Sequence, residues 1–379
     1  MVDVRVGIPL TGGKLVRAAR EQGRPVLFSA NAFSKVYPKT HPRAGFFKEF
    51  KLPDPAQFEG LDAALDSAGF VAASKYGDFR WSVEEYLDLV ASHPWTWWAS
   101  MDYCCEPQVA QDRPLRILRI AATARMYAVC SAAAAERGLK APMPVLQGWT
   151  ANEYAECVNL MPITHWPDLV GIGSVCRRNV KGEDGILAIL QAIDPILPPH
   201  VKLHLFGVKS SAMGALATHP RVAAVDSMAW DVAARRERPT GRDMDFRIEH
   251  MNRWADRQSA IAEEALSGSR GDWAAQPVQC ALFSPEDFQC QQFTATEDLF
   301  LEAIAHLHAN FILGGDLEYR DAVSQCSLDG FNAIRVLRHE GSPEAAARRI
   351  DEEFFSGFYE QFCSLSHTQP TELHPQRPS

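Results

Sequence analysis

The chain has 379 residues, 46% hydrophobic and 22% charged, enough to bury a large core and to form one big domain with an extension. A formal net charge of −9 excludes a surface that is basic throughout, so any contact with nucleic acid has to use a local patch. Nine scattered cysteines without a CxxC pair point to neither a disulfide framework nor a zinc ribbon.

No run of about 18 uncharged apolar residues occurs, and Met1-Val2-Asp3-Val4-Arg5 lacks the basic-then-apolar order of a signal peptide. A cytoplasmic protein without a membrane span is expected. In chain order, Val2–Ile8 and Pro25–Ala30 read as strands, being short β-branched or aromatic runs. Gly12-Gly13-Lys14 between them lacks the earlier glycine of a phosphate loop and is a simple connection. Asn31–Gly60, rich in Pro, Lys and Phe, reads as a loop inserted over one face of the fold. Strands are then predicted at Leu61–Asp66, Thr96–Asp102, Met143–Gln147, Leu169–Gly173, Lys202–Gly207 and Ala223–Asp226. Helices at Ser82–Ser92, Leu115–Arg137, Asn152–Met161 and Asp184–Ile193 separate them, with Ser82 and Thr150 as N-caps.

Eight βα units in about 230 residues predict an α/β fold, a (β/α)8 TIM barrel. The rhythm then stops, and Arg235–Ser267, Ala295–Leu313 and Pro343–Phe362 read as helical. The expected organisation is a barrel over 1–240, a C-terminal helical extension over 241–365, and a disordered tail over 366–379.

Barrel chemistry gathers at the C-terminal ends of the strands. Asp66 stands there in LDSAGF, Asp102 in SMDYCCEP, Gln147 in VLQGW, Gly173 and Ser174 in GIGSV, Gly207 in HLFGVK and Asp226 in VDSMAW. Three carboxylates and one amide would converge on one mouth.

These ordered motifs resemble those of the tRNA-guanine transglycosylase superfamily over roughly residues 60–235. DSAGF resembles its DSGGF, MDYCCEP its FDECTPYP, LQG its QG, GIGSV its glycine-rich strand end, HLFGV its YLMGV, and VDSMAW the archaeal FDSAAY. SMDYCCEP, GSVCRR, FGVK and DSMAWDVAARR are most similar to the DNA-acting branch, which inserts 7-deazaguanines into DNA. The resemblance implies a pentosyltransferase that exchanges guanine for a 7-deazaguanine such as 7-cyano-7-deazaguanine (preQ0).

Displacing a purine from C1′ builds oxocarbenium character, which a carboxylate beneath that carbon can capture as a glycosyl ester. The implied nucleophile is Asp226, and Asp66 is the general acid/base. Asp102 would accept from the N1–H and exocyclic amine of guanine, while Gln147 and a backbone N–H near Gly173 would donate to O6. Phe70 and Phe206 would sandwich the purine, Ser174 would neighbour the 7-substituent, Gly173 would let backbone approach the base, and Gly207 is a further candidate for binding it.

Arg177, Arg178, Arg235 and Arg236 are candidate phosphate contacts, against the plainer reading of a solvated helix face. DNA and the free base are the expected partners, with a DNA-opening protein and a second copy of the chain as further ones. The alternatives are tRNA as substrate, or a catalytically degenerate module that binds nucleic acid. No cofactor is assigned, and for a structural zinc His250 is the one candidate ligand. Relatives carry a Cys-rich segment and a His for structural zinc, whereas Asp243–Arg257 offers His250 and no cysteine, and Cys280 and Cys290 lack ligand spacing.

Overall fold

A computed structural model describes residues 2–106, 110–268 and 293–368. Its contacts divide the chain into two units, Met1–Ala110 with Thr123–Ala275, and Gln111–Ala122 with Gln276–Ser379.

The first unit is built on parallel strands β1 (Asp3–Ile8), β2 (Val26–Ser29), β5 (Ala63–Asp66), β6 (Val145–Leu146), β7 (Leu169–Ile172), β8 (Lys202–Leu205) and β9 (Val222–Ser227), in the order β5-β2-β1-β9-β8-β7-β6. Their apolar runs are buried, as a sheet covered on both faces requires. The seven fall on seven of the predicted strands. The eighth, Thr96–Asp102, forms only isolated parallel bridges, Leu65↔Trp98 and Ala99↔Met143. The chain there bonds β5 on one side, through Ala99 N–H to Leu65 O, and Met143 on the other, through Ser100 N–H to Met143 O. The strand ladder therefore establishes a seven-stranded parallel sheet within an α/β unit.

Helices α1 (Lys14–Glu21), α4 (Val83–Ala91), α6 (Ala151–Leu160) and α7 (Ile186–Ile193) separate the strands, with short turns α2 (Pro55–Phe58), α3 (Gly69–Val71) and α8 (Met213–Leu216). Both predicted N-caps form capping boxes. Ser82 Oγ accepts from Glu85 N–H while Glu85 Oε2 accepts from Ser82 N–H, and Thr150 and Glu153 repeat the exchange on α6. Ser82→Ala is expected to cost ~1 kcal/mol, read as a lowered urea midpoint of tryptophan fluorescence. The core joins Ile8, Phe28, Leu65, Trp98 and Trp230 beneath the helices.

The insertion at 31–60 is more ordered than a loop. It holds an antiparallel hairpin of β3 (Ser34–Val36) and β4 (Phe47–Phe50), which pairs Ser34 with Phe50 and Lys35 with Glu49. Alternation too brief to register, with polar residues at both faces, hides such strands.

α5 (Arg113–Glu136) starts in the second unit and ends in the first. It is the one described helix long and apolar enough to cross a bilayer by composition, and 56% of that window is buried. α9 (Ala229–Glu237) and α10 (Met244–Ser267) replace the single helical stretch expected over 235–267. The break falls at Pro239-Thr240-Gly241, with Gly241 at φ 67° and Asp243 capping α10 through Phe246 N–H. α10 packs on α1, α8 and β1, so it lies with the sheet, whereas the expected boundary at 240/241 set it apart.

The second unit contains α11 (Ala295–Gly314), α12 (Tyr319–Glu340), α13 (Pro343–Glu353) and α14 (Phe358–Thr368). Phe300 meets Phe358 and Phe362 at ring separations of 5.3 and 5.0 Å, and Glu297 pairs with Arg338 at 2.7 Å. Residues 366–368, expected in the tail, end α14, and the rest of that expectation lies outside the described residues.

Candidate active site

Strand direction and register bring the motif residues together. Ser29 pairs with Asp66 across β2 and β5, and Arg5 pairs with Asp226 across β1 and β9, so both aspartates stand at the C-terminal half of one parallel sheet. Asp102 lies past the bridge segment and joins them through Ser67, whose Oγ donates to its Oδ1 at 2.7 Å.

Asp226 is buried, and one oxygen of its carboxylate is held twice. Oδ1 accepts from Gly207 N–H at 3.0 Å and from His204 Nε2 at 3.1 Å, while Oδ2 has no hydrogen bond among the described residues. The left-handed backbone at Gly207, φ 64°, aims its N–H at the carboxylate, and a side chain there would strike Cys176. His204 is fully buried, with its ring 4.8 Å from Trp97 and 4.7 Å from Phe206, and its Nδ1 has no partner among the described residues. The tautomer that fits carries its proton on Nε2.

Asp66 Oδ2 accepts from Ala68 N–H at 3.1 Å. Burial first, then the charges of Asp102 and Asp226, pushes its carboxyl up to about 8. Asp102 is raised to about 6 by burial, an effect opposed by its hydrogen bonds from Ser67 and Gln147. Burial raises both carboxyls, and the neighbouring charges of Asp102 and Asp226 raise Asp66 further, so the two groups are set apart in the direction that acid/base catalysis uses.

A relay of short bonds supports Asp102. Gln147 Nε2 donates to its Oδ2 at 2.5 Å, Gln147 Oε1 accepts from Ser174 Oγ at 2.5 Å, and Ser174 Oγ accepts from Cys105 N–H at 2.7 Å. Ser174 reaches this position from a left-handed backbone, φ 54°. Ala68 is likewise left-handed at φ 69°, a conformation that favours glycine, the residue the resembled DSGGF motif carries there.

Two glycines serve side-chain packing. The space above Gly173 is filled by the Gln147 amide, and its N–H donates to Leu146 O, so Gln147 takes the room expected for an approaching base. A Cβ on Gly69 would lie 2.8 Å from both Asp102 carboxylate oxygens and would also strike the Asp102 carbonyl. Gly69→Ala is expected to turn Asp102 away and lower kcat/KM of any reaction that uses its carboxylate by about 10- to 100-fold, with the far-ultraviolet spectrum retained.

Phe70 and Phe206 have different surroundings. The guanidinium of Arg177 lies 5.3 Å from the Phe70 ring, whereas Phe206 packs on His204 and on the cluster of Ala99, Met143 and Val145. Arg178 corrects the expected phosphate contacts. It is buried, donating to Ser174 O, Asp184 O and Gly148 O and lying 4.2 Å over Trp149, so it braces the loop that carries Ser174. Arg235 pairs with Asp231 at 2.7 Å on an exposed face of α9, and Arg236 is also exposed.

His250 pairs with Glu237 at 3.0 Å and packs on Phe246. Among the described residues no three His, Cys, Asp or Glu are grouped to hold a metal ion, and Cys280 and Cys290 lie outside those residues.

Sequence reasoning missed Ser67, His204 and the charged floor below them. Arg5 is buried and bonds Asp62 at 2.9 and 3.2 Å, with Trp97 5.5 Å from its guanidinium. The available signal was period two, since Asp3 and Arg5 alternate with Val4 and Val6 in β1, and His204 alternates with two buried leucines in β8.

No curated protein matches the chain in sequence. A family model described as DpdA, DeoxyPurine in DNA protein A, matches residues 51–300.

Proposed function

The chain belongs to the DpdA family, and from that premise we propose that it exchanges a guanine in DNA for a 7-deazaguanine through a covalent bond between Asp226 and C1′ of the deoxyribose. The observation that carries the reading is a buried carboxylate with one oxygen fixed and the other without a hydrogen bond among the described residues; beside it, burial and like charge favour the protonated form of a second carboxyl.

In the first half-reaction Asp226 Oδ2 attacks C1′, the C1′–N9 bond breaks with its electrons going to the purine, and protonated Asp66 gives the departing guanine a proton. In the second, the Asp66 carboxylate takes the N9 proton of the incoming base, N9 attacks C1′, and the ester bond to Asp226 breaks. Atoms and protons balance, and both carboxyl groups return to their starting states. Gly207 N–H and His204 hold the attacking carboxylate in one orientation throughout.

Asp102, with Ser67 and Gln147 bonded to it, is the group we assign to the Watson–Crick edge of guanine. A carboxylate has about four acceptor sites, so Asp102 can keep these bonds and still accept from N1–H and the exocyclic amine. Adenine would leave it unmatched. The neutral 7-cyano compound is the incoming base we favour, because the motif wording matches the DNA-acting branch.

We also read the sheet as a closed (β/α)8 barrel. Two features support closure: the first and last strands, β1 and β9, are paired, and the segment at Thr96–Ser100 is hydrogen-bonded to both β5 and Met143.

The test is incubation of the full chain with radiolabelled 7-cyano-7-deazaguanine and either duplex DNA, single-stranded DNA or tRNA, followed by nucleoside mass spectrometry. Label in deoxynucleosides is the expected result. Label confined to tRNA, or binding of base and DNA without exchange, would overturn it.

A further inference from the structure

We infer that the β3–β4 hairpin is the surface that grips the DNA backbone beside the reacting nucleotide. The inference rests on the DNA reading above and locates a contact surface that reading leaves open. Between Ser34 and Lys51 stand Lys35, Lys39, Arg43, Lys48 and Lys51 against the single acid Glu49, a local balance of +4 in a chain of net charge −9. The segment therefore opposes the charge of the protein as a whole. All five cations are exposed, and Lys75 and Arg80 add two more exposed cations nearby, since Arg80 donates to the Gly45 carbonyl of the hairpin and lies 3.5 Å over Tyr76. Polyanion binding is the chemistry such a patch fits, with affinity arising from counterion release.

Two observations tie the patch to the candidate site. The hairpin follows the C-terminal end of β2, where Ser29 pairs with Asp66. It is also mounted on a column of rings. Phe47 and Phe50 pack on Trp81 at 5.8 and 5.3 Å, Trp81 on Phe79 at 5.8 Å, and Phe79 on Tyr103 at 5.4 Å, the residue after Asp102. Tyr76 OH bonds Asn31 Oδ1 and Lys51 N–H bonds Phe33 O, fixing both ends of the hairpin. Phe46, 63% exposed between Arg43 and Lys48, offers an apolar face to deoxyribose or an unstacked base. A hairpin braced in this way holds phosphates at a set position relative to Asp102, which is how backbone contacts establish register before a base is flipped.

The experiment is fluorescence anisotropy of the full chain with a labelled duplex across about 50 to 200 mM salt. The variants are a triple Lys35→Gln, Lys39→Gln, Lys51→Gln, the matching triple to Arg, and a control pair, Lys140→Gln with Lys202→Gln, at the opposite end of the strands. At about 0.9 per phosphate contact, the Gln triple is expected to flatten the log–log salt slope by about 2 to 3 and weaken binding by about tenfold or more. The Arg triple and the control pair should keep the wild-type slope. Exchange by the Gln triple should show a raised KM for DNA with kcat held within about twofold. An unchanged slope in the Gln triple, a control pair that loses as much, or an Arg triple that fails to retain binding would each overturn the assignment. So would a loss seen with RNA but not with DNA. A wild-type chain that exchanges base while the Gln triple binds normally would sink the hairpin proposal alone. A chain that binds DNA through these lysines but exchanges no base would sink the transglycosylase reading alone.

Discussion

Asp226→Asn is expected to abolish base exchange, lowering kcat/KM by about 10³-fold or more, equivalent to at least ~4 kcal/mol of transition-state stabilisation. The asparagine keeps the shape of the carboxylate, and its carbonyl oxygen can still accept from Gly207 N–H and His204 Nε2. Only the oxygen proposed as nucleophile is replaced, by an amide nitrogen. The fold should therefore survive. Asp226→Ala loses the same activity but also strands those two donors, which adds about 1–3 kcal/mol of destabilisation. The comparison separates chemistry from structure. Intact-mass spectrometry of the wild-type chain mixed with DNA and no incoming base should reveal a protein–DNA ester, absent from the Asn variant. Exchange by that variant within about tenfold of wild type would remove Asp226 from the mechanism.

The sheet was legible because parallel strands buried on both faces leave unbroken apolar runs, as in Val170–Ile172 or Val26–Phe28. Capping at Ser82 and Thr150 was legible for a local reason: each motif places a glutamate three residues on. What escaped was tertiary. Nothing near Thr96–Asp102 announces that its pairing stops after two bridges, because the residues that bond it, Leu65 and Met143, lie 31 or more positions away in sequence. Ordered motifs located the three carboxylates, yet the groups that govern them come from other segments. His204 reaches Asp226 from β8, and Gln147 with Ser174 reaches Asp102 from β6 and the turn after β7. Arg178 shows the opposite failure. Its sequence setting, beside Arg177 in a polar turn, suggests an exposed cation, and only the fold reveals three carbonyls converging on it. Gly69 and Gly173 were visible as motif glycines, but the neighbours that exclude a side chain there, Asp102 and Gln147, could be identified only in three dimensions.

Asp66→Asn is expected to stabilise the fold at alkaline pH while removing exchange. The Asp66 carboxyl ionises near 4 in an unfolded chain and is raised to about 8 in the folded one by burial and by Asp102 and Asp226. Between those values the folded state holds a proton that the unfolded state has released. Unfolding free energy should then be highest below about 4, fall as pH rises through the window, and level off above about 8. Asparagine has no proton to lose, so the variant should gain on wild type across that interval, by on the order of a few kcal/mol at its upper end. Activity should move the other way. The proposed exchange uses Asp102 ionised to accept from guanine and Asp66 protonated to release it, so kcat/KM should rise through about 6 and decline through about 8 as macroscopic values of the coupled group. Asp66→Asn should cut the rate by about 10²- to 10⁴-fold and erase the alkaline limb from what remains. Thermal melts and pH–rate profiles of the two proteins over the same buffers provide both readouts. A variant less stable than wild type at pH about 8, or one that keeps the alkaline limb, would show that Asp66 is not the buried acid of this site.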